Sequence, residues 1–190
     1  MYNRCYHFVI QLDKKLFFAI NQWHHPWGDK LVHYGKGTCC WLLLYLLLLY
    51  LIVRTFRRKA WLPLIIIAGL VIVCDQFASS WVKPWVQRLR PCLDADFGSS
   101  VHVVGEYHGL YGFISSHAAN TFGLAMFLWL LLGKRYRALF LLFIWASGIS
   151  YARVYGGVHY PLDVIMGAVS GIGWAHVMFR CYLLLKRYHR

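Results

Sequence analysis

The chain has 190 residues, of which 59% are hydrophobic and only 14% charged, whereas ordinary soluble domains carry about 25% charged residues. With a mean hydropathy of +0.48, too little polar surface exists to cover a soluble fold, and the length leaves no room for a second core. A net charge of +13 comes from 20 Lys and Arg against 7 Asp and Glu, but these cations bunch between apolar runs. That argues against nucleic acid as a partner and for a lipid bilayer, basic cytoplasmic loops and an anionic ligand.

The N-terminal stretch MYNRCYHFVIQLDKKLFFAINQ lacks the uninterrupted apolar core and small-residue cleavage site of a signal peptide. Leu16, Phe17, Ile20 and Trp23 fall at helical spacing behind Asp13, Lys14 and Lys15. The spacing predicts an amphipathic helix lying in the interface, so residues 1–36 are read as an interfacial segment. Five apolar runs follow: Thr38–Val53, Ala60–Val82, Ala118–Leu132, Ala138–Ala152 and Leu162–Phe179. A spanning helix needs about 20 residues, so the third and fourth must extend into their flanks. The expectation is an all-α, polytopic transmembrane bundle of about five spans over residues 37–190, in one domain covering residues 1–190.

Three basic segments alternate with the others: Arg54–Ala60, Gly133–Arg137 and the tail from Arg180. The positive-inside rule sends them to the cytoplasm. Segments Lys83–Ser116 and Arg153–Pro161 then share the opposite face, the periplasm or exterior of a bacterial inner membrane. The six cysteines follow no ligand spacing and read as thiols. Asp75, the only acidic residue well inside a run, reads as a buried structural partner.

The outward segments carry the chemistry. In KPWVQRLRP, Lys83 and Arg90 are seven residues apart, two turns of a helix, and would project to one side. Snorkelling beside Trp81 and Trp85 would explain that pair equally well. In ISSH, Ser115, Ser116 and His117 open the third span; serine is a favoured N-cap, and a helix start offers free N–H groups to an anion. Plain capping is the simpler account. In SYARVYGGVHYPLDV, His159 and Asp163 form an i, i+4 step with Pro161 in the first helical turn. A carboxylate there accepts the Nδ1 proton and leaves Nε2 free as a nucleophile, while Gly156 and Gly157 let the chain turn back from Arg153. An orienting contact or a cap is the alternative. Together the three groups place three cations, two histidines, a helix N-terminus and a carboxylate on one membrane face. That is an inventory for phosphoryl transfer with neither metal nor cofactor.

In order and spacing, Lys-x6-Arg-Pro, Ser-x-His and Arg-x5-His-x3-Asp resemble the three-part signature of the type 2 phosphatidic acid phosphatase superfamily. That family includes membrane lipid phosphatases and is related to vanadium haloperoxidases. The resemblance covers the chain from about Ala60 to its end, and the first 35 residues look like the interfacial start of bacterial members. It implies that His159 attacks phosphorus to form a phosphohistidine, with Asp163 orienting it and His117 protonating the leaving group and later activating water. Lys83, Arg90, Arg153, Ser115 and Ser116 would bind phosphate. Three positions depart from the family pattern: Ile114 stands where proline is common, Ser116 where glycine is, and Ala152 where serine is. The implied partner is a membrane lipid phosphate, with undecaprenyl diphosphate preferred over lipid A, phosphatidylglycerol phosphate and phosphatidic acid. A non-catalytic lipid-phosphate binding protein and a transporter are the readings from other classes. The stretch Cys92–Tyr111 is long enough to be a lid.

Overall fold

A computed structural model of the protein describes residues 2–35, 41–105 and 109–188. Its helices are α1 (Tyr2–Asn21), α2 (Pro26–Gly35), α3 (Leu42–Phe56), α4 (Trp61–Gln76), α5 (Lys83–Val86), α6 (Ser116–Leu132), α7 (Leu141–Tyr155) and α8 (Pro161–Tyr188). Among the described residues there is no β-strand, only an isolated bridge between Leu89 and Tyr111. The bundle is all-α, as expected. Thr38, Cys39 and Cys40, where the first apolar run begins, lie outside the described residues. Among the described residues no disulfide forms.

Three segments are long and apolar enough to cross a bilayer: Trp61–Val86, Arg137–Tyr155 and Pro161–Tyr188. At 1.5 Å per residue, the 15-residue α3 and 17-residue α6 reach only about 23 and 26 Å, against a hydrocarbon core of about 30 Å. The apolar band is nonetheless continuous on the outside, where Leu43, Leu46, Ile65, Ile72 and Ile144 are exposed, as lipid-facing side chains must be.

α6 is the central helix. On one side it packs with α4 and α8 through Leu70, Cys74, Ala119, Phe127 and Ala175. On the other it meets α3 and α7 through Leu48, Ile52, Ala125, Leu128 and Leu142. Small residues let α6 and α8 approach closely: a Cβ on Gly123 would stand 3.2 Å from the Gly171 carbonyl oxygen. The basic segments meet at one end of the bundle, where Thr55 and Tyr136 approach at 3.4 Å and Phe56 packs on Tyr182. The opposite end carries the motif residues.

Two elements add to the sequence reading. At the N-terminal helix Leu16 is 48% exposed and Trp23, just beyond it, 86% exposed, as an interfacial apolar face is. The face turned inward is Asp13, Phe17 and Asn21, all at or below 4% exposed. A stripe with two polar members leaves no apolar period to read, and each is buried because it has partners. Asn21 donates to the carbonyls of His102 and Tyr155 at 2.7 and 2.8 Å and accepts from the His102 amide at 2.9 Å. Phe17 packs edge-on against Tyr160 and tilted against Phe97.

The second span also continues past Val82. A π-helical turn, Phe77–Val82, carries it directly into α5. The helix then stops at Gln87, whose φ is +52°, so Lys83 lies inside the helix and Arg90 beyond it. The expected helical alignment of Lys83 with Arg90 is therefore incorrect. Pro91 holds Arg90 extended, at φ −68° and ψ 153°, because the residue before proline is driven out of the α region.

Candidate active site

His159 sits between the Gly156–Gly157 turn and α8. Gly157 has φ +75°, and a Cβ there would come within 2.6 Å of the His102 carbonyl oxygen, so this turn demands glycine. The Cys92 amide donates to the Gly157 carbonyl and the Val104 amide to that of Gly156. Lys14 pairs with Asp94 and Asp96 at 3.0 and 2.6 Å, and the Tyr160 hydroxyl donates to Asp94 at 2.7 Å. These ties answer the expectation of a lid over 92–111: the described part, residues 92–105 and 109–111, is laced to α1 and to the 156–157 turn. Residues 106–108 lie outside the described set.

His159 and Asp163 are 3% and 0% exposed, with Nδ1 and Oδ2 3.5 Å apart. Asp163, in the first turn of α8, reaches back to the Tyr160 amide with the same Oδ2 at 2.9 Å, as a capping carboxylate does. Arg90 is buried and is anchored to the carbonyls of Gly109 and Val158, both at 2.9 Å. Its Nη1 stands 3.3 Å from His159 Nε2. A guanidinium only donates, so Nε2 must be the accepting nitrogen and Nδ1 carries the proton. In that tautomer the Nε2 lone pair points toward Arg90. Burial, with Arg90 and Lys83 close by, holds His159 below the usual imidazole pKa, against the opposing pull of Asp163.

The remaining motif residues converge here. His117, exposed one residue into α6, lies within electrostatic range of Arg153, His159, Lys83 and Arg90. Among the described residues neither Lys83 nor Arg153 makes an ion pair. Two cations beside a buried imidazole with no carboxylate of their own form a ready anion site. Ser115 is buried and caps α6, its Oγ accepting from the Ala118 amide at 3.5 Å, while its own amide donates to the Asp163 carbonyl at 2.9 Å. That bond fixes the opening of α6 to the opening of α8. Ser116 is half-buried in the first turn. All eight expected residues thus lie at one end of the bundle. Ile114 is buried, and Ala152 sits one turn before the 156–157 turn, its carbonyl accepting from Gly156.

Sequence reasoning missed three residues. Arg88 lies inside KPWVQRLRP but was passed over for its neighbours. It donates to Asp163 Oδ1 at 2.9 Å and to Asp13 Oδ2 at 2.6 Å, and its guanidinium lies 3.9 Å over the Tyr160 ring. Asp13 accepts the Leu162 amide at 2.8 Å with its other oxygen. Gly112 is the third: a Cβ there would stand 3.0 Å from Asp163 Oδ2 and 3.6 Å from His159 Nδ1. An arginine two residues before Arg90 was the one available signal; nothing local marks Asp13 or Gly112.

The sequence model of the PAP2 superfamily matches residues 64–187. The chain is 36% identical over 167 residues to the lipid A 4'-phosphatase of Bacteroides thetaiotaomicron, covering 86% of this chain and 74% of that protein. To the lipid A 4'-phosphatase of Porphyromonas gingivalis it is 30% identical over 187 residues, covering 94% and 76%. The crystal structure of Aquifex aeolicus LpxE superimposes with a TM-score of 0.66 at 28% identity, over 89% of this chain and 95% of that one. The match spans all three motif segments and the helices that carry them: the chain belongs to the PAP2 superfamily and is a membrane lipid phosphatase.

Proposed function

We propose that the protein removes a phosphate monoester from lipid A, at the 4' position. The observation that carries this reading is the unpaired cation cluster of Lys83 and Arg153 around a buried, neutral His159, in a chain whose similar relatives are lipid A 4'-phosphatases. Those relatives move the preference from undecaprenyl diphosphate to lipid A. An apolar cavity of about 360 Å³ between α2 and α7 is lined by Leu31, Trp145, Ile149 and, among others, Arg153, which supports lateral access for an acylated substrate.

In this mechanism Lys83, Arg90 and Arg153 neutralise the phosphate oxygens, with Ser115 and the backbone of Ser116 contributing donors from the start of α6. His159 Nε2 attacks phosphorus and the P–O bond to the sugar breaks. His117 delivers a proton to the departing oxygen, so the lipid leaves as an alcohol. Asp163 accepts the Nδ1–H and stabilises the charge on the phosphohistidine ring. Water then attacks that phosphorus, His117 takes its proton, and inorganic phosphate departs with His159 restored. The chain acts as one unit of about five spans, with α1 in the interface, in a bacterial inner membrane. Its site faces the periplasm, as the basic opposite end supports.

The test is phosphate release from lipid A by detergent-purified protein in EDTA, with phosphorus NMR of the lipid product. Selective loss of the 4' resonance, absent in His159→Ala, is expected. Loss of the 1-phosphate resonance alone would change the assignment within lipid A. Release from undecaprenyl diphosphate in preference to lipid A would overturn the substrate, and full activity of His159→Ala would overturn the mechanism.

A further inference from the structure

The reaction above uses Asp163 but gives no role to the two charged residues that hold it. Arg88 spends its two terminal nitrogens on carboxylates, Asp163 at 2.9 Å and Asp13 at 2.6 Å. All three are largely withdrawn from water, with side chains 15% exposed for Arg88, 5% for Asp13 and 0% for Asp163. Asp13 comes from α1, 75 residues before Arg88 and 150 before Asp163, and its second oxygen accepts the amide of Leu162. One carboxylate on α1 thus grips both the guanidinium and the opening turn of α8.

We infer that Arg88, set in place by Asp13, is a positioning residue that keeps the Asp163 carboxylate aimed at His159 through the catalytic cycle. This inference rests on the phosphatase reading. Asp163 has one oxygen bound by Arg88 and the other shared between the Tyr160 amide and His159, so its orientation is defined from both sides. The charges balance in a way that suits the intermediate. Asp13, Arg88 and Asp163 together carry one negative charge, and a phosphohistidine whose ring is positive at Nδ1–H neutralises it. The other charged or titratable groups within electrostatic range of His159 are Arg90, Lys83 and His117 on α6, with Arg153 on α7 in range of His117. Asp94 reaches it only through the Tyr160 hydroxyl.

Removing Arg88 would leave two buried carboxylates close together, and such a pair holds a proton between them. A protonated Asp163 no longer accepts the Nδ1 proton, so the defect should appear in turnover and in its pH dependence rather than in binding. Deleting the surplus negative charge as well should reverse it.

The experiment compares Arg88→Gln, Arg88→Lys, Asp13→Asn and the double variant Asp13→Asn/Arg88→Gln in full-length protein. It measures kcat, KM and pH profiles on lipid A, with thermal melting as the control for folding. Arg88→Gln should lower kcat about 100-fold with KM within about threefold, and move the acid limb up by about one pH unit. The double variant should recover about tenfold of that kcat and return the limb toward its wild-type position, while Arg88→Lys falls between. An Arg88→Gln variant with raised KM and near-normal kcat would make Arg88 a phosphate ligand and overturn the inference. So would a double variant no better than the single one, or an unmoved pH profile. If Arg88→Gln does not fold, the double variant decides: a wild-type pH limb with lowered kcat supports the inference, and a limb moved up refutes it. A wild-type chain without His159-dependent turnover removes the phosphatase reading and the inference with it, whereas wild-type turnover with indifferent Arg88 variants removes only the inference.

Discussion

Replacing Gly112 by alanine perturbs the site without removing any of its charges. A Cβ at this position would lie 3.0 Å from Asp163 Oδ2, 3.5 Å from Arg90 Cγ and 3.6 Å from His159 Nδ1. The first approach is tighter than nine in ten real Cβ contacts, so something must give by a few tenths of an ångström. Neither side is free to do so. Gly112 is held by its amide bond to the Arg88 carbonyl at 2.8 Å and by the Leu89–Tyr111 bridge beside it, and Asp163 Oδ2 is held by the Tyr160 amide at 2.9 Å. The displacement falls on the 3.5 Å approach of Asp163 to His159. Overpacking of this kind costs about 1–3 kcal/mol of stability. If half of a 3 kcal/mol strain is felt only when the imidazole becomes charged, kcat falls about tenfold. Initial rates on lipid A in detergent would separate kcat from KM, and thermal melting would report the stability term. A Gly112→Ala enzyme with kcat within twofold of wild type and an unchanged melting temperature would refute the packing argument.

Turnover should retain its acid limb below the ordinary imidazole value of about 6.5, because burial and the neighbouring cations hold His159 deprotonated. By linkage the same lowered pKa means the unfolded chain takes up the proton first, so His159 costs stability as pH drops below about 6.5; a limb above that value argues against His159 as the nucleophile. Asn21→Ala should lower the melting temperature sharply, since it abandons three hydrogen bonds to buried backbone, each worth about 1 kcal/mol, and an unchanged melting curve would contradict the role given to α1. A cysteine placed at exposed Ser99 should react with a membrane-impermeant thiol reagent added to spheroplasts, and labelling only after lysis would invert the orientation. Gly167→Ala should loosen the α6–α8 contact at the Ser115 carbonyl and lower both stability and kcat; full activity would show that α6 can shift without cost to His117.

Residues that announce themselves by chemical type in a greasy context were legible from the sequence. His117, His159, Asp163 and the cations at 83, 90 and 153 stood out against apolar flanks, and the motif spacings tied them together. The apolar runs located the helices that carry them. The path of the chain between motifs was harder to read, because a π-helical turn leaves no mark on an apolar run. An arginine before a proline reads as helical until the proline's steric demand is weighed. α1 was the element read least well, since burial there is decided by Asp13 and Asn21, polar residues whose partners lie 75 to 149 positions away. Local periodicity cannot register a contact of that range. Arg88 was hidden for a different reason: cations crowded its stretch, and only geometry shows which of them pairs with Asp13 and Asp163.

The reach of α1 also has a temporal side. Asp13 leaves the ribosome long before Arg88 and the Leu162 amide that will hold it, and Asn21 precedes the Tyr155 carbonyl by 134 residues. During synthesis α1 therefore carries two polar side chains whose partners are made only with Arg88, the loop before α6 and the opening of α8. Assembly of the site closes with the last span, so an incompletely inserted chain holds the motif residues without the scaffold that aligns them.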